Sequence, residues 1–377
     1  MLVRMIKIFC ALILVVVLSG CSLFGITGEP LNRYFINPRE VELKLSYHLE
    51  GIKKTPSDNT VTMYEFSEEP ATWEMEQKSD EPVLLLYVAR QQELPSQRNL
   101  EYISIDPPPD KIVSRDIDGN TIEFWDLSDQ VRSGKDIVIT RHLKFTAYET
   151  AFRIDPEKMR KYNPDDPVYR YYTRTQEMVE QTPMVRKMAS EIVGDETNPY
   201  LKARAIYDWC VNNIDYKYPP NRGLRFCLPR RTGDCGSYSL IFTGLCRSVG
   251  IPARVANGHW CCAQKRNYHV WNEFYLPGYG WIPADATDGR ITRDNPGKLA
   301  GNGDAFYFFG NLDSGRFISS HGTSIQLYPS PPWHKWGMED SNRNPIFFQT
   351  AAVVYANLEI KSRRMNMEII RGDDVLW

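Results

Sequence analysis

Apolar and polar residues alternate through Val41-Glu-Leu-Lys-Leu-Ser-Tyr47, the two-residue period of a strand with one buried face. Thr60–Tyr64, Val83–Tyr87 and Ile137–Phe145 repeat the theme, alternating or running apolar at strand length. Turn-forming clusters separate them, among them Pro107-Pro108-Pro109-Asp110 and Asp118-Gly119-Asn120. Short strands at this spacing predict an all-β, sandwich-like domain over residues 39–152. Prolines and tyrosines break the pattern between Tyr162 and Tyr172, and helical periodicity follows. Pro183–Val193 and Tyr200–Asn213 read as helices, the second with Ala205, Ile206, Trp209 and Cys210 on one apolar stripe. Tyr216–Arg231 shows no period and reads as a loop.

A third helix follows. Leu240, Ile241, Leu245, Cys246 and Val249 recur at helical spacing, and Gly250-Ile251-Pro252 stops the run. The turn formers Thr232-Gly233-Asp234 stand before it, so Cys235 opens its first turn. Further on, His269, Trp271, Glu273 and Tyr275 alternate with Val270, Asn272 and Phe274, as in a strand. Pro277-Gly278-Tyr279-Gly280 then turns the chain, and Trp281–Asp285 returns as the neighbouring strand. A one-residue slip would put His269 and Asp285 on opposite faces, so an odd-length loop or a bulge is expected. Phe306–Phe309, Arg316–Ile318 and Ser324–Tyr328 read as further strands. The tail from Pro331 is rich in Trp and Pro, then alternates from Ala351 to Ile370, and suits either a return to the N-terminal sandwich or a partner surface.

The candidate chemistry lies in this middle stretch. A cysteine at a helix start meets unpaired N–H groups and the positive end of the helix dipole, both of which favour thiolate. His269 supplies a base and Asp285 a carboxylate to orient it, the three roles of thiol-based acyl transfer. The backbone N–H of Cys235 is one candidate oxyanion donor. His259 is a rival base and Asp288 a rival carboxylate. His48 and His142, each alone in a strand pattern, read as structural or surface residues. Arg222, Arg225, Arg230 and Arg231 read as a solvated loop or as a source of positive potential near Cys235.

The N-terminus changes the picture of where this chemistry happens. Arg4 and Lys7 precede an apolar run, Ile8–Leu18, too short to span a bilayer comfortably, and Leu18-Ser19-Gly20-Cys21 closes it with small residues. The pattern resembles a bacterial lipoprotein signal over residues 1–20, the alternative being an ordinary secretory signal or an N-terminal membrane anchor. That resemblance implies lipid attachment at Cys21, a linker over 21–38, and export to a bacterial membrane face. A net charge of −2 gives no global case for nucleic acid.

Gly233-Asp234-Cys235-Gly236, the helix ending in Gly250-Ile251-Pro252-Ala253-Arg254-Val255, His269-Val-Trp-Asn-Glu, Gly280-Trp281 and Asp285-Ala286-Thr287 together resemble the transglutaminase-like superfamily. Ala205-Ile-Tyr-Asp-Trp209 and Tyr216-Lys-Tyr218 resemble the family's lead-in. The resemblance implies an α+β fold: a papain-like, transglutaminase-like core over residues 153–330 with an antiparallel sheet, followed by a C-terminal extension over 331–377. It implies Cys235 as nucleophile, His269 as base and Asp285 as third member, with no cofactor or metal. The expected partners are a peptide or protein substrate, a cell-wall peptide included, and the membrane through the lipid; the oligomeric state stays open. Hydrolysis or deamidation is preferred over transamidation. The alternative is a non-catalytic, surface-anchored module binding peptides, glycans or wall fragments.

Gly258-His259-Trp260-Cys261-Cys262 departs from the family pattern. A zinc site from His259, Cys261 and Cys262 lacks the paired ligand spacing of structural zinc motifs. A disulfide from Cys261 or Cys262 to Cys227 fits an exported protein better. Cys210 and Cys246 read as buried thiols.

Overall fold

The computed structural model describes residues 33–374 and 376, apart from 57, 66–70, 76–78, 115–117, 220–222, 324 and 337–349. The expected signal, Cys21 and Arg222 lie outside the described residues.

Two antiparallel sheets form the β-rich part. In one, Ile137–Phe152, Arg33–Glu50 and Ser362–Arg371 lie side by side, and Gln97–Asp106 and Asn311–Leu312 also pair with Ile137–Phe152. The other runs Ala71–Glu74, Thr60–Glu65, Ala351–Ala356, Val83–Arg90, Thr121–Asp126, Lys111–Ser114. The sheets face each other across one core: Val41, Leu43, Leu45, Tyr47 and Leu49 meet Leu84, Leu86, Val88, Trp125 and Val353. Each of the first five is at most 1% exposed, the burial their alternation predicts.

The start of the chain departs from expectation, and the tail takes one of its two expected courses, the return to the sandwich. The first strand begins at Arg33, inside the stretch read as linker, because its early half pairs with the end of Ile137–Phe152 while staying largely exposed. Exposure on both faces leaves no hydrophobic period to read. The tail is no appendage: Ala351–Ala356 sits between Thr60–Glu65 and Val83–Arg90. Ala351 and Val353 enter the core between the sheets, while Ala352 and Val354 pack on the outer side with Ile325, Leu327, Trp333 and Trp336.

The α+β core stacks helices on a four-stranded antiparallel sheet ordered Gly280–Ala284, Tyr268–Leu276, Ala253–Trp260, Arg316–His321. Pro183–Val193 and Pro199–Asn213 are helical, each with Pro in the first turn and a capping side chain, Thr182 or Asn198. The Cys235–Ser248 helix is the central one, with every residue from Gly236 to Arg247 buried. Asn272 fastens it to the sheet by donating to Ser239 O and Thr243 Oγ1, and Phe242 meets Phe274.

Three local expectations fail; of the segment read as a strand at Ser324–Tyr328, the described residues 325–328 form no strand, only an isolated bridge at Ile325. Leu224–Arg230 is a helix where a loop was expected: Leu224, Cys227 and Leu228 bury at helical spacing, and Pro229 in the last turn disguises it. Phe306–Phe309 is a turn and not a strand, although Phe308 and Phe309 are buried; its aromatics fill the core from irregular backbone.

Candidate active site

Gly233 and Asp234 set the start of the Cys235 helix. Asp234 is the N-cap, its Oδ1 accepting from Ser237 N and Ser237 Oγ at 3.1 Å each. That ties up an inner N–H and leaves the Cys235 end of the helix unencumbered by its own cap. A Cβ at Gly233 would stand 2.1 Å from Ser237 Cβ, so this close turn admits only glycine. Cys235 itself is partly exposed.

The hairpin has the odd loop that parity requires. Leu276 pairs with Gly280 across Pro277–Tyr279, and the pairing continues to Asn272 opposite Ala284. The return strand stops there, so His269 lies beyond its last pair and Asp285 becomes the N-cap of the Ala286–Asp294 helix. His269 Nε2 then lies 2.6 Å from Asp285 Oδ2. Cys235 acts on the same imidazole, helping to raise its pKa. With Nε2 held by Asp285, Nδ1 is the nitrogen left for the thiol. The structure thus brings together the three residues singled out from sequence, the aspartate behind the histidine and the cysteine in front.

A fourth residue, read from the sequence only as part of a strand, completes the arrangement. Arg316 donates from Nη1 to Asp285 Oδ2 at 2.7 Å, and from Nη2 to Asp288 Oδ2 at 2.9 Å and Asp313 Oδ2 at 2.7 Å. Its guanidinium lies 3.8 Å from the Trp260 ring centroid, and Trp260 and Trp271 both stack on His269. The remaining Asp285 oxygen accepts from Asp288 N. Only the Arg316 stretch's strand character was visible in the sequence; its pairing with Trp260 on the neighbouring strand is what delivers the guanidinium.

The electrostatics follow from these contacts. Burial opposes a charged His269, but the carboxylates of Asp285 and Asp288 outweigh it and raise its pKa to about 10. Burial likewise opposes ionised Asp285, yet His269 and Arg316 hold it well below the usual carboxylate range. Asp288, 3.6 Å from His269 Nε2, is pushed up by burial and by Asp285. Among the described residues, His269, Asp285 and Asp288 are the group whose ligand atoms lie close enough for a metal, within 4.8 Å of one another, and Arg316 is bonded to both carboxylates.

Residues 186–286 match the family model of the transglutaminase-like superfamily. The chain carries a transglutaminase-like domain. Over 211 residues it is 27% identical to an uncharacterized protein of Haemophilus influenzae, covering 46% of this chain and 57% of that one. Over 122 residues it is 26% identical to a protein-glutamine gamma-glutamyltransferase of Pseudomonas aeruginosa, covering 28% of this chain and 18% of that one. The chain therefore spans little more than half of the first relative and under a fifth of the second. A solved structure described as a candidate cysteine protease from Cytophaga hutchinsonii matches the fold with a TM-score of 0.54, at 16% identity over 92% of this chain and 95% of that one.

Of the two rival residues, Asp288 stands in the site, 3.6 Å from His269 Nε2, and His259 lies elsewhere. His259 is fully buried, stacked on Phe317 and Tyr268, with Nδ1 3.3 Å from Ser319 Oγ. Burial, with help from Arg141, depresses its pKa to about 3, so it stays neutral. The proposed disulfide is not formed. Cys227 donates to Ser237 Oγ at 3.3 Å in the helical core, whereas Cys261 lies in the sandwich core beside Arg39. Cys210 and Cys246 are buried thiols with raised pKa values, burial being the cause. Arg225, Arg230 and Arg231 are exposed, the solvated reading of that stretch.

Proposed function

We propose that this protein is a cysteine-dependent acyl-transfer enzyme acting on peptide or protein amides outside the cytoplasm. The observation that carries the reading is the contact chain Cys235–His269–Asp285, closed at its far end by Arg316. The Cys235 thiolate attacks the amide carbonyl carbon, and the protonated imidazole gives its proton to the departing amine, leaving a thioester. Water then attacks the thioester with His269 as base, restoring the thiol and releasing the acid. Having given up its proton in the first step, the imidazole is neutral and able to take one from the attacking water. Asp285 holds the imidazole and stays ionised throughout.

Water is the preferred acceptor over a lysine amine, and the lipoprotein-like N-terminus supports an exported body tethered through Cys21. The test is the rate of Cys235 alkylation against pH in the wild type and in His269→Ala. Fast alkylation at neutral pH that collapses in the variant supports the enzyme. Slow alkylation in both proteins overturns it and leaves a binding module. Release of ammonia or of a new carboxyl terminus from glutaminyl peptides, with and without added amine, separates hydrolysis from cross-linking.

A further inference from the structure

Two carboxylates stand within reach of one imidazole nitrogen. Asp285 Oδ2 holds His269 Nε2 at 2.6 Å, and Asp288 Oδ2 lies 3.6 Å from the same atom. Asp288 sits in the first turn of the helix that Asp285 caps, its own N–H bonded to Asp285 Oδ1. A hydrogen bond to nitrogen needs about 2.7–3.2 Å, so a small side-chain rotation would bring Asp288 onto the proton that Asp285 holds. Both acids are buried, so water offers Asp288 no alternative partner.

What restrains Asp288 sits on its two oxygens. Arg316 Nη2 donates to Oδ2 at 2.9 Å. Oδ1 accepts no hydrogen bond among the described residues, and the Lys265 ammonium stands 3.5 Å from it. The lysine side chain is 23% exposed and the acid it faces 0%, so the ammonium closes the cluster from its solvent edge. Lys265 also lies over the Trp260 ring, 4.4 Å from its centroid, and Trp260 stacks on His269. With the imidazole protonated, His269, Arg316 and Lys265 match Asp285, Asp288 and Asp313 in charge. Buried charges are poorly screened, so losing the lysine would leave an acid in excess and draw Asp288 towards the imidazolium.

The lysine is held in place by its loop. Cys262 N donates to Lys265 O at 3.0 Å and Lys265 N to Cys262 O at 3.2 Å, around the turn Ala263-Gln264. The last described residues of the chain cross this loop. Asp374 O accepts from Ala263 N at 3.2 Å, Gln264 Oε1 accepts from Leu376 N at 3.4 Å, and Asp373 pairs with Arg266. Gly372 O accepts from Arg39, which fastens the crossing segment to the first strand.

We infer that Lys265 is a positioning residue for the acyl transfer proposed above: it holds Asp288 off His269 Nε2, so that Asp285 alone orients the imidazole. It touches neither the thiol nor the scissile bond and acts through Asp288. The inference rests on the reading of Cys235, His269 and Asp285 as an acyl-transfer site, and its test separates the two.

The first measurement is the proton NMR signal of the hydrogen-bonded His269 Nε2–H in the full chain, assigned by its absence in His269→Gln. One downfield resonance is expected in the wild type. Lys265→Met should shift or split it, and Lys265→Arg should restore it. Lys265→Met/Asp288→Asn should also restore it, because the competing carboxylate is gone. The second measurement is the alkylation rate of Cys235 at neutral pH. Lys265→Met should slow it about tenfold, within the roughly hundredfold that a misplacement of about 1 Å can cost. The double variant should recover most of that loss, which a merely structural lysine would not allow. Thermal melts show which variants are folded, and Lys265→Gln replaces a Lys265→Met that is not. A resonance and rate unchanged in the folded variant, or a double variant no better than Lys265→Met, would overturn the inference. Slow alkylation in the wild type sinks the enzyme reading instead, while the resonance still reports on Lys265.

Discussion

Arg316 and His269 share one oxygen: Asp285 Oδ2 accepts from Arg316 Nη1 at 2.7 Å and lies 2.6 Å from His269 Nε2. Two cations on one carboxylate atom explain how a 1% exposed aspartate stays ionised, and why it cannot swing away from the imidazole. Asp288 and Asp313 bond to Nη2, so one arginine bridges three buried acids, with Lys265 3.5 Å from Asp288 as a further cation.

Removing that arginine strands the acids. Arg316→Met is expected to cost about 3–5 kcal/mol, the usual penalty for breaking a buried ion pair. Adding Asp288→Asn should recover part of the loss, because one of the stranded charges is gone. Denaturant melts of the two variants and of Asp288→Asn alone close the cycle; equal and additive losses would deny the coupling.

Asp285→Asn keeps a similar shape and removes the charge. The His269 pKa is then expected to fall from about 10 toward its ordinary 6.5, since the nearest carboxylate no longer holds the proton. The pH profile of Cys235 alkylation reads this directly, as a loss of rate at neutral pH. A profile matching the wild type would mean Asp285 does not set the histidine's proton affinity.

The same shift bears on stability. His269 has a folded pKa of about 10 against an ordinary 6.5, so its contribution is fully present below pH 6.5 and is lost as pH rises through about 10. The melting temperature of the wild type should therefore decline across that window. In His269→Gln the decline should be shallower, and identical slopes would refute the linkage.

Gly233→Ala places a methyl 2.1 Å from Ser237 Cβ, in the first turn of the Cys235–Ser248 helix. Overpacking of this kind costs about 1–3 kcal/mol. The variant should melt lower and alkylate more slowly at Cys235, because the helix start must shift to admit the methyl. Unchanged melting would mean the turn has slack.

Truncation before Ala351 removes an interior strand of the six-stranded sheet and exposes its neighbours on both sides. The shortened chain should be recovered insoluble or without a cooperative melt. A soluble product with native circular dichroism would make the tail dispensable.

Much of the site was legible in the sequence because its signals are local. Thr232-Gly233-Asp234 before a helical period places Cys235 in a first turn, and the cap follows from Asp234 alone. Alternation about His269 and an odd turn at Pro277–Tyr279 put His269 and Asp285 within reach of each other, since parity is a property of a short hairpin. Val41–Leu49 showed its buried face for the same reason. The Leu224–Arg230 helix was hidden because Pro229 and the arginines speak against a helix locally, while burial against the core outweighs them.

The sequence by itself determined the periods, caps and turn parity that prepare a cysteine, a histidine and an aspartate, because these depend on residues a few positions apart. Only the tertiary structure decided which distant arginine balances the aspartate, and that the tail enters the heart of a sheet begun some 290 residues earlier, at Thr60. Those choices depend on which strands pair and which charges share a buried space. Such pairings join segments far apart in the chain, and no local pattern records the partner.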